Sequence, residues 1–371
     1  MNWYLFIILF LCWGFGFLFL WRIPLLKNRN HNYFDPSKVS IIIPARNEEN
    51  NLSRLLQSIK NQTAAPGQTI VVDDHSVDET AAVAKRWGCT LIPSPDLPPG
   101  WLGKSWACWQ GAQAARGEVL LFMDADIFLA RDGFAKILSA FTQNGDILSV
   151  QPYHKMKKAY EQLSAFFNII TMAGFNAFTP LGSKLKPAGA FGPCLMCLKE
   201  DYLRLNGHLG VRGEILENMA LGKAFINKGY RVSCYGGKGS LEFRMYPEGV
   251  MSLIQGFGKT FGAGANAAAF ISLFMIVCWV FGGVSLTRHL IQAPIADHYA
   301  DLFFLLILDL MYAGQIYWML YRIGNFRYST ALFFQIPLLF FVLVFILSIL
   351  QTYVIRQVRW KGRIIKSTKI E

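Results

Sequence analysis

The chain has 371 residues, of which 53% are hydrophobic and 16% are Asp, Glu, Lys or Arg. A charge content so far below the roughly 25% of a soluble domain argues against an ordinary soluble protein and for a membrane protein. Lys and Arg outnumber Asp and Glu by 12, but many of the basic residues flank apolar runs, where they report topology and attraction to anionic lipid rather than a nucleic-acid partner.

The first element is an uncharged apolar run over residues 3–21, long enough to cross a bilayer. No basic residue precedes it and no A-x-A site follows. The pattern therefore predicts an uncleaved anchor over residues 1–24. Arg22, Lys27 and Arg29 come next and by the positive-inside rule place the following segment in the cytoplasm. That polar segment, residues 38–265, opens with the apolar strand 39–44. A helix is expected over 48–62, with Leu52, Leu55, Leu56 and Ile59 on one face. A strand over 69–72, a helix over 78–87 and a short strand over 90–92 follow. Residues 93–103 are rich in Pro and Gly and read as a loop. A helix over 105–115 leads into a strand over 118–123. Later strands are expected over 147–151, 192–198, 231–235 and 241–244, with a helix over 216–228. Strands alternating with helices predict an α/β fold with a mostly parallel sheet.

Residues 164–180 and 249–269 are apolar and read as interfacial helices along a bilayer. Three further spans are expected over 268–286, 302–321 (interrupted by Asp309) and 331–355, so that 266–355 forms membrane helices. A basic tail, 356–371, closes the chain with Arg356, Arg359, Lys361, Arg363, Lys366 and Lys369. Four crossings from an outside amino terminus leave this tail outside, against the positive-inside rule. Either 302–321 does not fully cross, or a further segment does. Seven cysteines are scattered through the chain, and Cys194 and Cys197 have no second pair to complete a zinc site. They read as small core residues in a reducing compartment.

Three short acidic motifs, at residues 73–74, 124–126 and 214–218, read as lying at strand ends, where open α/β sheets bind ligands. Pro44, Ala45, Arg46 and Glu48 end the first strand and open a helix, so that backbone amides there meet a nucleotide. Asp73 and Asp74 end the second, and adjacent acids repel unless a cation or hydrogen-bond donors compensate. Ser76 and Glu79 also fit a capping box for the next helix, which leaves Asp73 and Asp74 unexplained. Asp124 and Asp126 follow an apolar strand with D-x-D spacing, suited to hold a hard divalent cation against a phosphate.

In this order, VSIIIPARNEE, VVDDHSVDET and LLFMDAD resemble the glycosyltransferases of family 2, with the Rossmann-like GT-A fold. The resemblance covers about residues 38–235. It implies a membrane-bound, inverting hexosyltransferase using a UDP-sugar donor and Mg²⁺ or Mn²⁺. By that resemblance Asp73 contacts the nucleoside and Asp124 and Asp126 hold the metal on the diphosphate. Lys104, in a segment similar to the family's G-K-x-x-A-x-x-x-G, touches the nucleotide. Lys259 stands near the place where processive relatives carry Q-x-x-R-W, next to Gln255 but without the Arg-Trp pair. That absence, with few spans downstream, argues against a polysaccharide synthase. The helix expected over 216–228 matches the one that carries Glu-Asp in the family, its aspartate being the catalytic base. Here the pair is Glu217 and Asn218, and an amide cannot take the proton. Glu217 and Glu214 remain as candidate bases.

A carboxylate or phosphate acceptor arrives ionised near pH 7 and tolerates a weakened base, whereas a hydroxyl does not. One span before the catalytic domain, several after it, and the segments PPGWLGKSWACWQGA and MDADIFL are most similar to the membrane-bound carotenoid-acid (4,4'-diaponeurosporenoate) glycosyltransferases. The resemblance implies glucose as the sugar, a membrane lipid as acceptor and a cytoplasm-facing enzyme of the plasma membrane. Polyprenyl phosphate, hopanoid and glycerolipid acceptors stay open, as does a degenerate nucleotide-sugar-binding protein.

Overall fold

The structure, a computed structural model, describes residues 3–28, 34–144, 146–267, 270–295, 299–350, 357–360 and 363–366. In chain order its elements are α1 (Trp3–Phe19), β1 (Val39–Ala45), α2 (Glu49–Lys60), β2 (Gln68–Asp73), α3 (Thr80–Arg86), β3 (Thr90–Pro93), α4 (Gly103–Ala114), β4 (Val119–Met123), β5 (Ile127–Leu129) and α5 (Gly133–Asn144). There follow β6 (Ile147–Gln151), β7 (Tyr153–His154), α6 (Ala165–Gly174), β8 (Cys194–Leu198), α7 (Lys199–Arg204), α8 (Glu217–Asn227), β9 (Val232–Gly236) and β10 (Leu241–Phe243). The last are α9 (Val250–Ala267), α10 (Phe270–Ile295), α11 (Tyr299–Ile323), α12 (Tyr328–Leu332), α13 (Gln335–Ile349), β11 (Gln357–Trp360) and β12 (Arg363–Lys366). The chain divides into an α/β unit, Pro24–His154 with Lys186–Arg244, and a helical unit, Met1–Ile23 with Lys155–Leu185 and Met245–Glu371.

The α/β unit is built on a seven-stranded sheet in the order β3-β2-β1-β4-β8-β6-β9. β1 pairs in parallel with β2 and β4, β2 with β3, and β6 with β9, while β8 runs antiparallel to both neighbours. Ile41, Ile42 and Ile43 of β1 and every residue of β4 are buried. Strands covered on both faces read as unbroken apolar runs rather than alternating ones, which is why 39–44 and 118–123 are legible in the sequence. α2 buries Leu52, Leu55, Leu56 and Ile59, the expected stripe. β2 and β3 lie on one side of β1 and β4 on the other, so the strand order reverses between β1 and β4. The carboxyl ends at such a reversal form the crevice where open α/β sheets bind ligands. β8 enters at that same edge, since Cys194 pairs with Met123.

Several elements depart from expectation. β5, β10 and β7 form a second small sheet. α4 begins at Gly103, so Lys104 lies in the first helical turn and not before it. α3 begins at Thr80 without a side-chain cap. Ser76 instead accepts the Asn47 N–H at 3.0 Å, and Glu79 donates its own N–H to Glu49 at 3.1 Å. The capping box is therefore replaced by a lacing of two loops. All seven cysteines are free.

In the helical unit, two helices among the described residues are long and apolar enough to cross a membrane, Phe270–Pro294 and Asp301–Ile323. Among the described residues the helices of the other two expected spans are shorter: α1 has 17 residues and α13 has 15, α13 being separated from α12 by Phe333 and Phe334. At 1.5 Å per residue both fall below the roughly 30 Å of a bilayer core. Several polar groups inside the bundle are matched. Trp279 donates to Gln315 Oε1 at 2.8 Å, Gln315 donates to the Trp13 carbonyl at 2.9 Å, and Arg322 donates to the Leu20 and Trp21 carbonyls. Residues 164–180, expected along a bilayer surface, contain α6, seven of whose ten residues are buried within the unit. Residues 351–356, 361–362 and 367–371 of the basic tail lie outside the described residues.

Candidate active site

The loops after β1 and β2 are fixed against each other. Asn47, in the left-handed region at φ 53°, accepts the Val77 N–H on its side chain at 2.9 Å, and Glu48 donates its N–H to Thr80 Oγ1 at 2.8 Å. Ala45 is buried beside Asp73 in register, and its carbonyl accepts the Asp74 N–H at 2.8 Å. Pro44 and Asp73 are half-buried. The two adjacent acids divide their roles. Asp74 is buried, with Arg46 Nη1 at 3.6 Å and His75 Nδ1 at 3.3 Å. Asp73 accepts the Ser76 N–H at 3.2 Å and keeps solvent contact at the crevice edge. Their repulsion is thus met by a guanidinium and a backbone donor. Arg46, expected to seat a nucleotide, is engaged with Asp74.

The second cluster joins α4, β4 and α8. Lys104 Nζ lies 2.7 Å from Asp124 Oδ1 and 3.1 Å from Glu217 Oε1. Asp124 is anchored by its N–H to the Pro193 carbonyl at 2.9 Å. Gly192, just before Pro193, lies where a Cβ would stand 3.7 Å from Lys104 Nζ and 3.4 Å from Asn218 Nδ2. A lysine in the first turn of a helix opposes the macrodipole, and here two carboxylates compensate. Desolvation works against the Lys104 charge, but Asp124 and Glu217 outweigh it and push its pKa up. Desolvation likewise works against Glu217, and Lys104 with His208 reverses it, leaving that carboxyl below its usual range. For Asp124, desolvation outweighs the lysine and its pKa is raised. Asp126 is pushed up to about 7 by desolvation first, then by Asp124 and Glu48.

Asn218 is buried and donates to Glu217 Oε1 at 2.9 Å and to the Gly192 carbonyl at 3.3 Å. Glu214 is exposed on the turn before α8. The side chain of Lys259, in α9, lies outside the described residues. Behind Asn218 stand Tyr202 and His208, both fully buried. Sequence reading passed over His208, although a histidine in N-G-H-L-G after a short helix was a signal to examine.

Asp124 and Asp126 supply hard oxygen donors, the ligand type that suits Mg²⁺ and Mn²⁺. Asp126 is driven toward protonation by desolvation and then by the negative charge around it, both of which a cation offsets. No group of three or more His, Cys, Asp or Glu placed to hold a metal occurs among the described residues. Two carboxylates one residue apart fit an ion that takes its other ligands from a substrate or water.

The family model described as Glycosyl transferase family 2 matches residues 40–202. A 4,4'-diaponeurosporenoate glycosyltransferase from Staphylococcus aureus strain MRSA252 is 36% identical over 355 residues, 91% of this chain and 92% of the relative. This chain belongs to glycosyltransferase family 2. The 4,4'-diaponeurosporenoate glycosyltransferase of strain USA300 is likewise 36% identical over 351 residues, again covering 91% and 92%. Among solved structures, the mannosyltransferase PcManGT from Pyrobaculum calidifontis, in complex with GDP-Man and Mn²⁺, superposes with a TM-score of 0.50 at 16% identity. It covers 84% of this chain and 99% of that one, and the likeness shows a shared GT-A-like fold. The α/β unit is thus that of a family 2 glycosyltransferase. The matched stretch includes Asp73, Lys104, Asp124 and Asp126, and stops before His208 and Glu217.

Proposed function

We propose that this family 2 enzyme transfers a hexose, glucose, from a UDP-sugar to the carboxylate of a carotenoid acid held in a membrane, with inversion at the anomeric carbon. The observation that carries the acceptor class is the absence of a free base at the head of α8. Asn218 is an amide, Glu217 is tied to Lys104 at 3.1 Å with its pKa held down, and Glu214 is exposed. A hydroxyl nucleophile needs its proton removed, whereas a carboxylate is ionised near pH 7. An identity of 36% over 91% of the chain to glycosyltransferases named for a carotenoid acid supports the same choice.

In the reaction a carboxylate oxygen of the acceptor attacks the anomeric carbon from the face opposite the diphosphate. The bond to the diphosphate oxygen breaks, and its electron pair leaves with UDP. Asp73 accepts hydrogen bonds from the nucleoside, with the amides around Pro44–Glu48 beside it. Asp124 and Asp126 would hold Mg²⁺ or Mn²⁺. Bound there, the ion offsets charge on the departing diphosphate. Lys104 adds a fixed positive charge, oriented by Glu217 and Asp124. In this reading residues 1–24 anchor the chain, 266–355 form the remaining membrane helices, 356–371 follow as a basic tail, and the catalytic domain, 38–265, faces the cytoplasm at the plasma membrane.

The test is UDP release by the purified protein in lipid nanodiscs, over a panel of nucleotide sugars, with and without Mg²⁺ or Mn²⁺. Acceptors are a carotenoid acid, its methyl ester and a polyprenyl phosphate. Metal-dependent release with the acid and not the ester is expected. Glu217→Gln and Glu214→Gln should each retain turnover within about tenfold, while a loss of about a thousandfold in either would mark a required base and overturn the ionised-acceptor reading.

A further inference from the structure

We infer that His208 is a positioning residue. It orients the Asn218 amide and, through it, the Glu217 carboxylate that holds Lys104. The inference rests on the reading of Lys104 and Glu217 as part of the donor site.

The hydrogen-bond pattern fixes which ring nitrogen carries the proton. Tyr202 Oη accepts the backbone N–H of His208 at 3.1 Å and lies 2.9 Å from His208 Nδ1. The phenol proton of buried Tyr202 has no other acceptor among the described residues, so it is assigned to Nδ1 and the ring proton to Nε2. Burial pushes His208 down to about 4, so at neutral pH the ring is neutral and has a single N–H to give.

An unpartnered acceptor stands in the neighbouring side chain. His208 Nε2 and Asn218 Oδ1 are both buried and have no hydrogen-bond partner within 3.5 Å. The Asn218 side chain nonetheless lies close enough to the ring to favour its charged form. An unmet donor beside an unmet acceptor costs free energy that a small movement recovers. The other end of the amide is already committed, with Nδ2 donating to Glu217 Oε1 and to the Gly192 carbonyl. Tyr202 with His208, and Asn218 with Glu217 and Lys104, are two runs that a bond from His208 Nε2 to Asn218 Oδ1 joins into one. The amide at 218 supplies both of the Nδ2 donations. An aspartate there would lose both donations and set a second negative charge against Glu217.

The test compares His208→Gln with His208→Asn in nanodiscs. Glutamine can place an N–H near the former Nε2; asparagine keeps a partner for Tyr202 but does not reach Asn218. His208→Asn is expected to raise the donor KM or lower kcat by about tenfold, and His208→Gln to recover most of that loss. A cycle of His208→Asn, Asn218→Ala and the double variant is read in both kcat/KM and the thermal unfolding midpoint. Non-additivity in both supports the inference. Additive midpoints, or equal impairment in the Gln and Asn variants, overturn the His208–Asn218 link. Non-additive midpoints with unchanged kinetics in every variant overturn the positioning role, by removing the donor-site reading beneath it.

Discussion

Lys104 is the residue on which the site turns. It opens α4, against the helix dipole, and is held by carboxylates from two other elements, at 2.7 Å and 3.1 Å. Lys104→Met is expected to lower kcat/KM for the donor by about a hundredfold, the usual scale for removing one preorganised charge, as read from UDP-release kinetics. At this scale the acids were legible in the sequence because strand ends in α/β sheets are where such groups gather. The apolar runs before Asp73, Asp124 and Asp126 place them at strand ends, while their roles rest on the family resemblance. The pairing of Lys104 with Glu217 spans 113 positions, and Tyr202 with His208 depends on a turn through left-handed Asn206. Neither has a local signature. Ser76 and Glu79 show the opposite failure: a genuine local pattern was overridden by partners on the facing loop.

At the level of elements, two helices bring the cluster together by approaching closely at glycine. A Cβ on Gly111 of α4 would stand 2.4 Å from Ile42 Cγ2 in β1. A Cβ on Gly222 of α8 would stand 2.3 Å from the Ala190 backbone nitrogen, and one on Gly189 would meet the Met219 carbonyl oxygen at 2.3 Å. Backbone cannot step aside as a side chain can. Gly222→Ala is therefore expected to cost about 1–3 kcal/mol in denaturant unfolding. It should also lower kcat/KM, because α8 begins with Glu217; lost stability at full activity would show that α8 moves without moving Glu217. The main strands and α2 were readable from periodicity. α5 should have been, since Phe134, Ile137, Leu138 and Phe141 are buried at helical spacing. β5 and β7, three and two residues long, are too short to show any period and exist through their pairing with β10.

For the whole molecule, two histidines make the α/β unit sensitive to acid. His154 lies against Phe243 at 4.3 Å, has no hydrogen-bond partner on either ring nitrogen, and is pushed down to about 3 by burial. His208 is held near 4, also chiefly by burial. Both folded values are below the ordinary 6.5. Below that pH the unfolded chain binds protons that the folded chain does not, so stability is full above about 6.5 and falls as pH drops toward 4 and 3. Thermal unfolding of the protein in nanodiscs should show the midpoint dropping between pH 7 and pH 4.5. His154→Phe should shrink that drop, and an unchanged slope would place the sensitivity elsewhere.

The bonds that tie α1 to α11 also set an order in time. α1 ends at Phe19 and the next long apolar helix, α10, begins at Phe270. At roughly 5–20 residues per second, a ribosome needs on the order of 10–50 s to cross that interval. Throughout it the Trp13, Leu20 and Trp21 carbonyls wait for Gln315 and Arg322, which are made later still. The nascent chain must therefore be chaperoned or lodged in lipid by its first helix while the catalytic unit is still being made. A message broken before codon 315 would yield the acids of the site attached to a helix that never meets its partners.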